Sequence, residues 1–187
     1  MKERGKTEEC MAGSLLLAHP SLRDPNFRHA VVLISAYDDE GAIGVVLNRP
    51  TGNTLGELDD EFESGPLAGV SVFEGGPVQT DRVLICAIGF HEDGEGMRLH
   101  FGLEPKAAEE LVVEHGDAIK LRGFLGYSGW GAGQLENELS HDTWAVSAIP
   151  SDLLAFAQDE TLWRGVLSRI SPEWKLLADE PDDPELN

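Results

Sequence analysis

The clearest structural pattern in this chain lies at Gly126 to Leu139, which reads GYSGWGAGQLENEL. Apolar residues lead into it, glycines recur through it, and Leu135 and Leu139 stand four apart, as on one face of a short helix. This pattern predicts a strand, a bend and a helix. Glycine permits positive φ and close backbone approach, and an exposed Tyr127 or Trp130 in such a bend can hold a ligand. The alternative interpretation is that both aromatic side chains belong to the core and pin the turn.

Apolar runs on either side of this segment predict several strands and a few helices. The predicted strands are 13–18, 30–36, 42–47, 70–73, 82–88, 97–101, 118–121, 123–126 and 143–148. A tight turn joins the second and third of these as a hairpin. Helices are predicted at the capping box Thr54 to Glu57, after Glu104 with proline in the first turn, and at 162–167.

A length of 187 residues suits one domain, which we place at 13–177. Residues 1–12 mix both charges without an apolar period and are predicted to be a flexible leader. Residues 178–187 are rich in acids and prolines and are predicted to be a solvated acidic tail.

The charge balance limits the partners that this chain can attract. Asp and Glu number 34 against 14 Lys and Arg, a formal net charge of -20, which repels nucleic-acid backbones and anionic membranes. The two cysteines, Cys10 and Cys86, indicate a reducing compartment rather than a disulfide framework. The early apolar run 15–18 is too short for a signal-peptide core or a membrane span. We therefore expect a cytoplasmic protein with no membrane partner, and nucleic acid is an unlikely partner.

Two strand ends carry residues suited to binding. Arg49 stands between Asn48 and Pro50, and a residue before proline is held extended, so Arg49 is predicted to be an exposed cation on a rigid strand end. One hypothesis is that Arg49 binds an anion or a carboxylate of a ligand or partner. The alternative is that it forms an ordinary surface salt bridge. Gly75 and Gly76 precede a proline, in a turn whose amides can point at one anion or simply shape the chain.

The sequence matches the known catalytic and phosphate-binding motifs poorly. A serine-hydrolase elbow requires Gly-x-Ser-x-Gly, but Ser128 is followed by Gly129 and Trp130. In such a hydrolase an acid and then a histidine follow the serine along the chain. Between Ser128 and the last histidine, His141, the acids are Glu136 and Glu138, which belong to the adjoining helix, so the order of triad residues is not met. Glycines 126, 129, 131 and 133 also suggest a phosphate loop, yet they match neither the dinucleotide nor the Walker spacing, and no lysine follows.

Metal-binding patterns are also lacking in the sequence. The six histidines show no i, i+4 pair and no cysteine at ligand spacing; they are His19, His29, His91, His100, His115 and His141. We therefore predict neither a metal nor a cofactor, although a fold can still bring distant histidines together.

Four blocks of the sequence resemble, in the same order, the YqgE/AlgH family of bacterial proteins. They are the segments 18–27, 44–50 (GVVLNRP), 75–78 (GGPV) and 126–136, whose pattern is Gly-Tyr-Ser-Gly-Trp-x-x-Gly-Gln-Leu-Glu. The resemblance spans about 13–177 and implies an α+β fold, with a bifurcated β-sheet that includes a small closed barrel and is surrounded by helices. The resemblance does not imply a particular catalytic activity, because none is established for that family. Some members carry a transcriptional-regulator label, but this chain shows no helix-turn-helix signature.

We therefore predict a non-enzymatic cytoplasmic binding or regulatory protein with a protein or small-molecule partner of unknown identity and an undetermined oligomeric state. The residues predicted to bind that partner are Asn48, Arg49, Gly75, Gly76, Tyr127, Ser128, Trp130 and Gln134. Two alternatives remain open. One is an enzyme on a small molecule with a site near Arg49 and 127–134. The other is a nucleic-acid-binding regulator, which the net charge disfavours.

Overall fold

A computed structural model describes residues 12–90, 97–153, 158–170 and 172–179. Their strands are β1 Leu15–Ala18, β2 Val31–Asp38, β3 Gly41–Val46, β4 Pro50–Thr54, β5 Ser71–Glu74, β6 Val78–Phe90, β7 Met97–Leu103, β8 Ile119–Gly131 and β9 Trp144–Ser147. Their α-helices are α1 Leu55–Leu58, α2 Pro105–His115, α3 Gln134–Ser140, α4 Glu160–Ile170 and α5 Pro172–Asp179. The predicted leader lies outside the described residues except for Ala12. The predicted acidic tail also lies outside them from residue 180 onward, and its first two residues end α5.

All nine strands join one sheet that forks at β8. The first part of β8 pairs in parallel with β5 at 123–125 and antiparallel with β6 at 119–125, and β4 and β7 flank these two partners. The last part of β8, residues 128–131, pairs with β3, which leads to β2, β1 and β9. One long strand therefore belongs to two arms of the sheet.

The α+β class is confirmed, but the expected closed barrel is wrong because the sheet is an open, curled half-barrel. The outer strands of the first arm, β4 and β7, do not pair with each other within the described ranges. β4 contacts β5 at only two registered positions, with an irregularity between them, so it offers no continuous edge for closure. The partner of β8 changes from β5 to β3 partway along the strand, and the sheet splits there instead of closing.

The segment 126–131 continues β8 rather than forming a bend, which corrects the expected strand, bend and helix boundaries. The turn is confined to Ala132 and Gly133, where Gly133 has φ of 74°, and α3 follows at once. Gly126 has φ of 67°, and a Cβ there would lie 2.6 Å from the Val78 carbonyl oxygen. Only glycine lets the strand pass that close to β6 at the fork.

Apolar residues on the two faces of the sheet form separate cores. One core lies between the sheet and α4, where Trp163 and Phe124 are fully buried. A second contains Trp130, Leu135 and Trp144 beside α3. Because the cores fix both ends of β8 and of the β3–β4 turn, the predicted site residues stand on a rigid frame.

Candidate functional site

Asn48 is a structural anchor for the strand end that carries Arg49. Its side chain is 3% exposed. The Oδ1 atom accepts a hydrogen bond of 2.9 Å from the backbone N–H of Val31, and Nδ2 donates one of 2.9 Å to the carbonyl of His29. Both hydrogen-bonding ends of the amide are thus used inside the protein, which fixes the position of Arg49.

Arg49 is a half-buried cation that has no carboxylate partner among the described residues. Its Nη2 donates a 3.2 Å hydrogen bond to the Arg28 carbonyl, and its own carbonyl accepts one of 2.8 Å from the N–H of Glu74. No described carboxylate lies within ion-pair distance of the guanidinium. Burial lowers the pKa of Arg49, against the opposing influence of the Glu74 and Asp24 charges. The surface salt bridge considered as the alternative is therefore not formed within the described part of the chain.

The side chain of Arg49 lines two adjoining clefts. The larger, which we call the arginine cleft, has a volume of about 750 Å³. Its lining residues are mostly polar and include both charges; they are Pro25, Arg28, His29, Asn48, Arg49, Pro50, Glu74, Asp159, Glu160 and Arg164. The smaller, which we call the glycine cleft, has a volume of about 200 Å³ and is lined by Asn26, Val46, Arg49, Glu74, Gly76, Pro77, Thr80 and Leu125. Three of the chain's 14 basic residues meet in the arginine cleft.

The glycines of the predicted anion nest act mainly in close packing. The Gly75 amide donates to the Leu125 carbonyl at 2.8 Å, so it is not available to an anion. The Gly75 carbonyl accepts from the Val46 amide at 2.9 Å and from the Ser128 hydroxyl at 3.1 Å. At Gly76, a Cβ would lie 2.3 Å from the carbonyl carbon of Tyr127. The pair lets the β5–β6 turn lie against β8, and Gly76 also lines the glycine cleft.

Three of the four predicted site residues in 127–134 have their polar groups bonded within the protein. Ser128 is fully buried and its hydroxyl donates to the Gly75 carbonyl. Trp130 is 5% exposed, and its Nε1 donates to Glu138 Oε2 at 2.9 Å. Gln134 donates to Glu138 Oε1 at 3.0 Å and accepts from the Gly131 amide at 3.1 Å. Trp130 therefore lies in the core, as the alternative interpretation of the sequence expected.

Tyr127 lines a different cleft from Arg49. This hairpin cleft, of about 370 Å³, is lined by Ala36, Asp38, Glu40, Gly41, Ala42, Ile43, Val78, Tyr127, Gly129 and Trp130. It shares no lining residue with the glycine cleft, although Val78 of the one follows Pro77 of the other in the chain. The structure therefore places Asn48, Arg49 and Gly76 around two adjoining clefts and places Tyr127 and Trp130 at a third. Whether any of them binds a ligand stays a prediction.

One carboxylate of the arginine cleft, Asp159, is held in its charged form. Asp159 has its pKa lowered by hydrogen bonds from the Thr161 hydroxyl and amide, so it is a carboxylate at neutral pH. A general acid requires the opposite shift. Across the described ranges, no three His, Cys, Asp or Glu side chains converge to hold a metal ion.

Sequence reasoning missed two residues that the fold makes prominent. Glu138 accepts hydrogen bonds from two indoles, those of Trp130 and Trp144, and no sequence pattern indicated this role. Arg122 was not singled out, yet its Nη1 is buried without a hydrogen-bond partner among the described residues. The available signal for Arg122 was a charge two residues before Phe124, on the same face of an apolar strand.

The forked sheet and the polar clefts define an α+β protein whose described residues hold no metal cluster and no serine-hydrolase arrangement. The chain belongs to the AlgH-like family, whose model matches residues 15–175. This confirms the resemblance that the four sequence blocks indicated.

Relatives of known sequence or structure agree with this assignment. A UPF0301 protein of Streptomyces coelicolor is 41% identical over 195 residues, which cover 98% of this chain and 99% of that protein. The solution structure of the AlgH protein from Pseudomonas aeruginosa is similar, with a TM-score of 0.64 and 27% identity over 91% of this chain and 94% of that one. A crystal structure of a Corynebacterium diphtheriae protein has a TM-score of 0.66 and 21% identity, covers 91% and 92% of the two chains, and shows the fold alone. No helix within the described ranges is long and apolar enough to cross a membrane.

Proposed function

We propose that this chain is a non-enzymatic binding protein that holds an acidic group of its ligand or partner against Arg49, at the junction of the arginine cleft and the glycine cleft. The supporting observation is a guanidinium that is half-buried, held by a rigid strand end and not paired with a described carboxylate. Burial removes water from a cation, and the loss is recovered when an anion takes the place of that water. Arginine suits this task because its planar fork can bind a carboxylate or phosphate through two hydrogen bonds.

The proposal limits the ligand by the charge of the surroundings. The same cleft carries the acidic residues Glu74, Asp159 and Glu160 beside Arg28 and Arg164. A polyanion such as a nucleic-acid backbone would meet these acids and a chain of net charge -20. A small ligand or a partner side chain that presents one acidic group avoids that repulsion. Any influence on transcription would then be indirect. The proposed compartment is the cytoplasm, an assignment favoured by the free, buried thiol of Cys86.

The test is a thermal-shift screen of carboxylated and phosphorylated metabolites against the whole protein. A ligand at about one hundred times its Kd raises the free energy of unfolding by about 2.7 kcal/mol, which is readily detected. We expect Arg49→Met to abolish the shift, because Met keeps much of the apolar stem and removes the charge. Arg23→Met is the matched control, since Arg23 is exposed and lines neither cleft.

Three outcomes would contradict the proposal. An equal shift in Arg49→Met and in the parent protein would place the ligand elsewhere. Mass spectrometry that finds the stabilising ligand chemically converted by the protein would support the enzyme alternative instead. Retention on a DNA column that weakens with added salt would favour the nucleic-acid alternative.

A further inference from the structure

The second unusual cation in the molecule is half-buried beside the apolar core of the first arm of the sheet. Arg122 is in β8, directly opposite Cys86 of β6, and its guanidinium carbon lies 4.6 Å from the centre of the Phe73 ring. The Phe73 and Phe124 rings are 5.9 Å apart. Arg122 makes no ion pair with a described residue, and its Nη1 is buried with no hydrogen-bond partner.

An orphaned, charged donor of this kind needs a physical explanation. Buried polar groups in proteins nearly always have a partner, and a buried charge without one lowers stability. The cation–π contact with Phe73 compensates for only part of that cost. Burial lowers the pKa of Arg122 to about 10, which still leaves it charged at neutral pH. The fold therefore keeps a permanent positive charge among aromatic rings without supplying an anion from the described residues.

The surroundings of Arg122 are apolar and partly accessible. Phe73, Cys86 and Phe124 are buried in the same core cluster. The hydrophobic residues packed against that cluster include Leu84, Leu99 and Phe101, which retain partial exposure. We call Arg122, Phe73, Cys86, Phe124, Leu99 and Phe101 the Arg122 face. This face joins one positive charge to an apolar surface.

We propose that the Arg122 face binds an aliphatic monocarboxylate, with the carboxylate on the guanidinium and the hydrocarbon chain against the apolar residues. One negative charge cancels one positive charge, and the ion pair is strengthened where water is excluded. A hydrocarbon chain also covers apolar surface that a small inorganic anion would leave wet. This second site does not depend on the cleft at Arg49.

The test is a titration of the whole protein with decanoate carrying ¹³C at its carboxyl carbon, followed by the carbon chemical shift. We expect saturable binding to the parent protein and binding about ten-fold weaker in Arg122→Met, because a charge-assisted pair is lost. Decanol, with the same chain and no charge, should bind the parent about ten-fold more weakly than decanoate does. Arg82→Met is the matched control and should bind decanoate like the parent, since Arg82 is an exposed residue of β6.

Location is tested separately in the parent protein, so a poorly folded variant does not decide the result. Nuclear Overhauser contacts from the decanoate chain to the Phe73 and Phe101 rings support the proposal. The proposal is overturned by equal affinity in Arg122→Met, by the lack of saturable binding, by contacts to other aromatic residues only, or by displacement of decanoate by equimolar inorganic phosphate.

Discussion

Glu138 and Arg122 are charged residues beside aromatic cores, and the fold treats them in opposite ways. Glu138 Oε2 accepts hydrogen bonds from Trp130 at 2.9 Å and from Trp144 at 2.7 Å, and Oε1 accepts one from Gln134 at 3.0 Å. Arg122 has a buried Nη1 that finds no hydrogen-bond acceptor among the described residues. The oxygens of Glu138 are thus satisfied by described neighbours, and this nitrogen of Arg122 is not.

This difference separates polar groups that hold the fold together from polar groups that are left for a ligand. The two indoles meet edge to face with ring centres 5.9 Å apart, and Glu138 ties both to α3, so this region locks the second arm of the sheet to its helix. Such a network stabilises a unique fold when every member is bonded. A group that the fold leaves unsatisfied lowers stability and gains most from a ligand. We therefore assign a structural role to the bonded side chains of Ser128, Trp130 and Gln134, and the proposed binding rests on the arginines.

The largest effect is expected from Trp130→Ala. Trp130 is buried beside Phe27, Trp144 and Leu135. Removing the ring creates a cavity and should lower the free energy of unfolding by about 3–5 kcal/mol in urea titrations. Trp174→Ala is the comparison, because this half-buried Trp should cost clearly less. A loss below about 1 kcal/mol for Trp130→Ala would show that the ring is not structural.

Removing Glu138 should have the next largest effect. Glu138→Ala leaves the Trp130 and Trp144 indole N–H groups without their acceptor, at a cost of about 2–4 kcal/mol in unfolding free energy. Glu138→Gln keeps an acceptor oxygen and should cost less. Glu136→Ala removes a carboxylate from the same helix, where it accepts one exposed bond from Tyr37. Equal losses for Glu136→Ala and Glu138→Ala would contradict the structural role of Glu138.

The buried thiol of Cys86 should make the free energy of unfolding fall at alkaline pH. Burial raises the pKa of its thiol to about 11, so between pH 9 and 11 the folded protein retains a proton that the unfolded chain loses. The thiol therefore contributes stability below pH 9 that is lost as the pH rises through 11. The loss should reach about 3 kcal/mol, and it should be missing from the pH profile of Cys86→Ala. Parallel profiles for the two proteins would refute this assignment.

Local sequence patterns predicted the elements whose causes are local. The spacing of Leu135 and Leu139 predicted α3, and Thr54 with Glu57 predicted the capping box, in which the Thr54 amide donates to Glu57 at 2.8 Å. The family resemblance added the α+β class. Neither revealed that β8 runs unbroken through 126–131, because that depends on pairing with β3.

Residues of the candidate site were predicted from the sequence only where their own chain segment determines their position. Arg49 before Pro50 was correctly expected at a strand end, although it is half-buried rather than freely exposed. Arg28 and Arg164 join it through the packing of distant segments, which no local pattern encodes. Arg122 becomes buried because β6 pairs along the whole first part of β8. Long-range pairing therefore placed the residues that sequence reasoning missed.

The most direct test of this division between structure and binding is the urea unfolding of Arg122→Met. Removing a half-buried charge that has no ion-pair partner among the described residues should leave the free energy of unfolding unchanged or raise it by about 1 kcal/mol, because Met fills similar apolar space without a desolvation cost. That sign is opposite to the loss expected for Glu138→Ala. A loss of about 1 kcal/mol or more for Arg122→Met would show that the guanidinium supports the fold, and it would contradict the account.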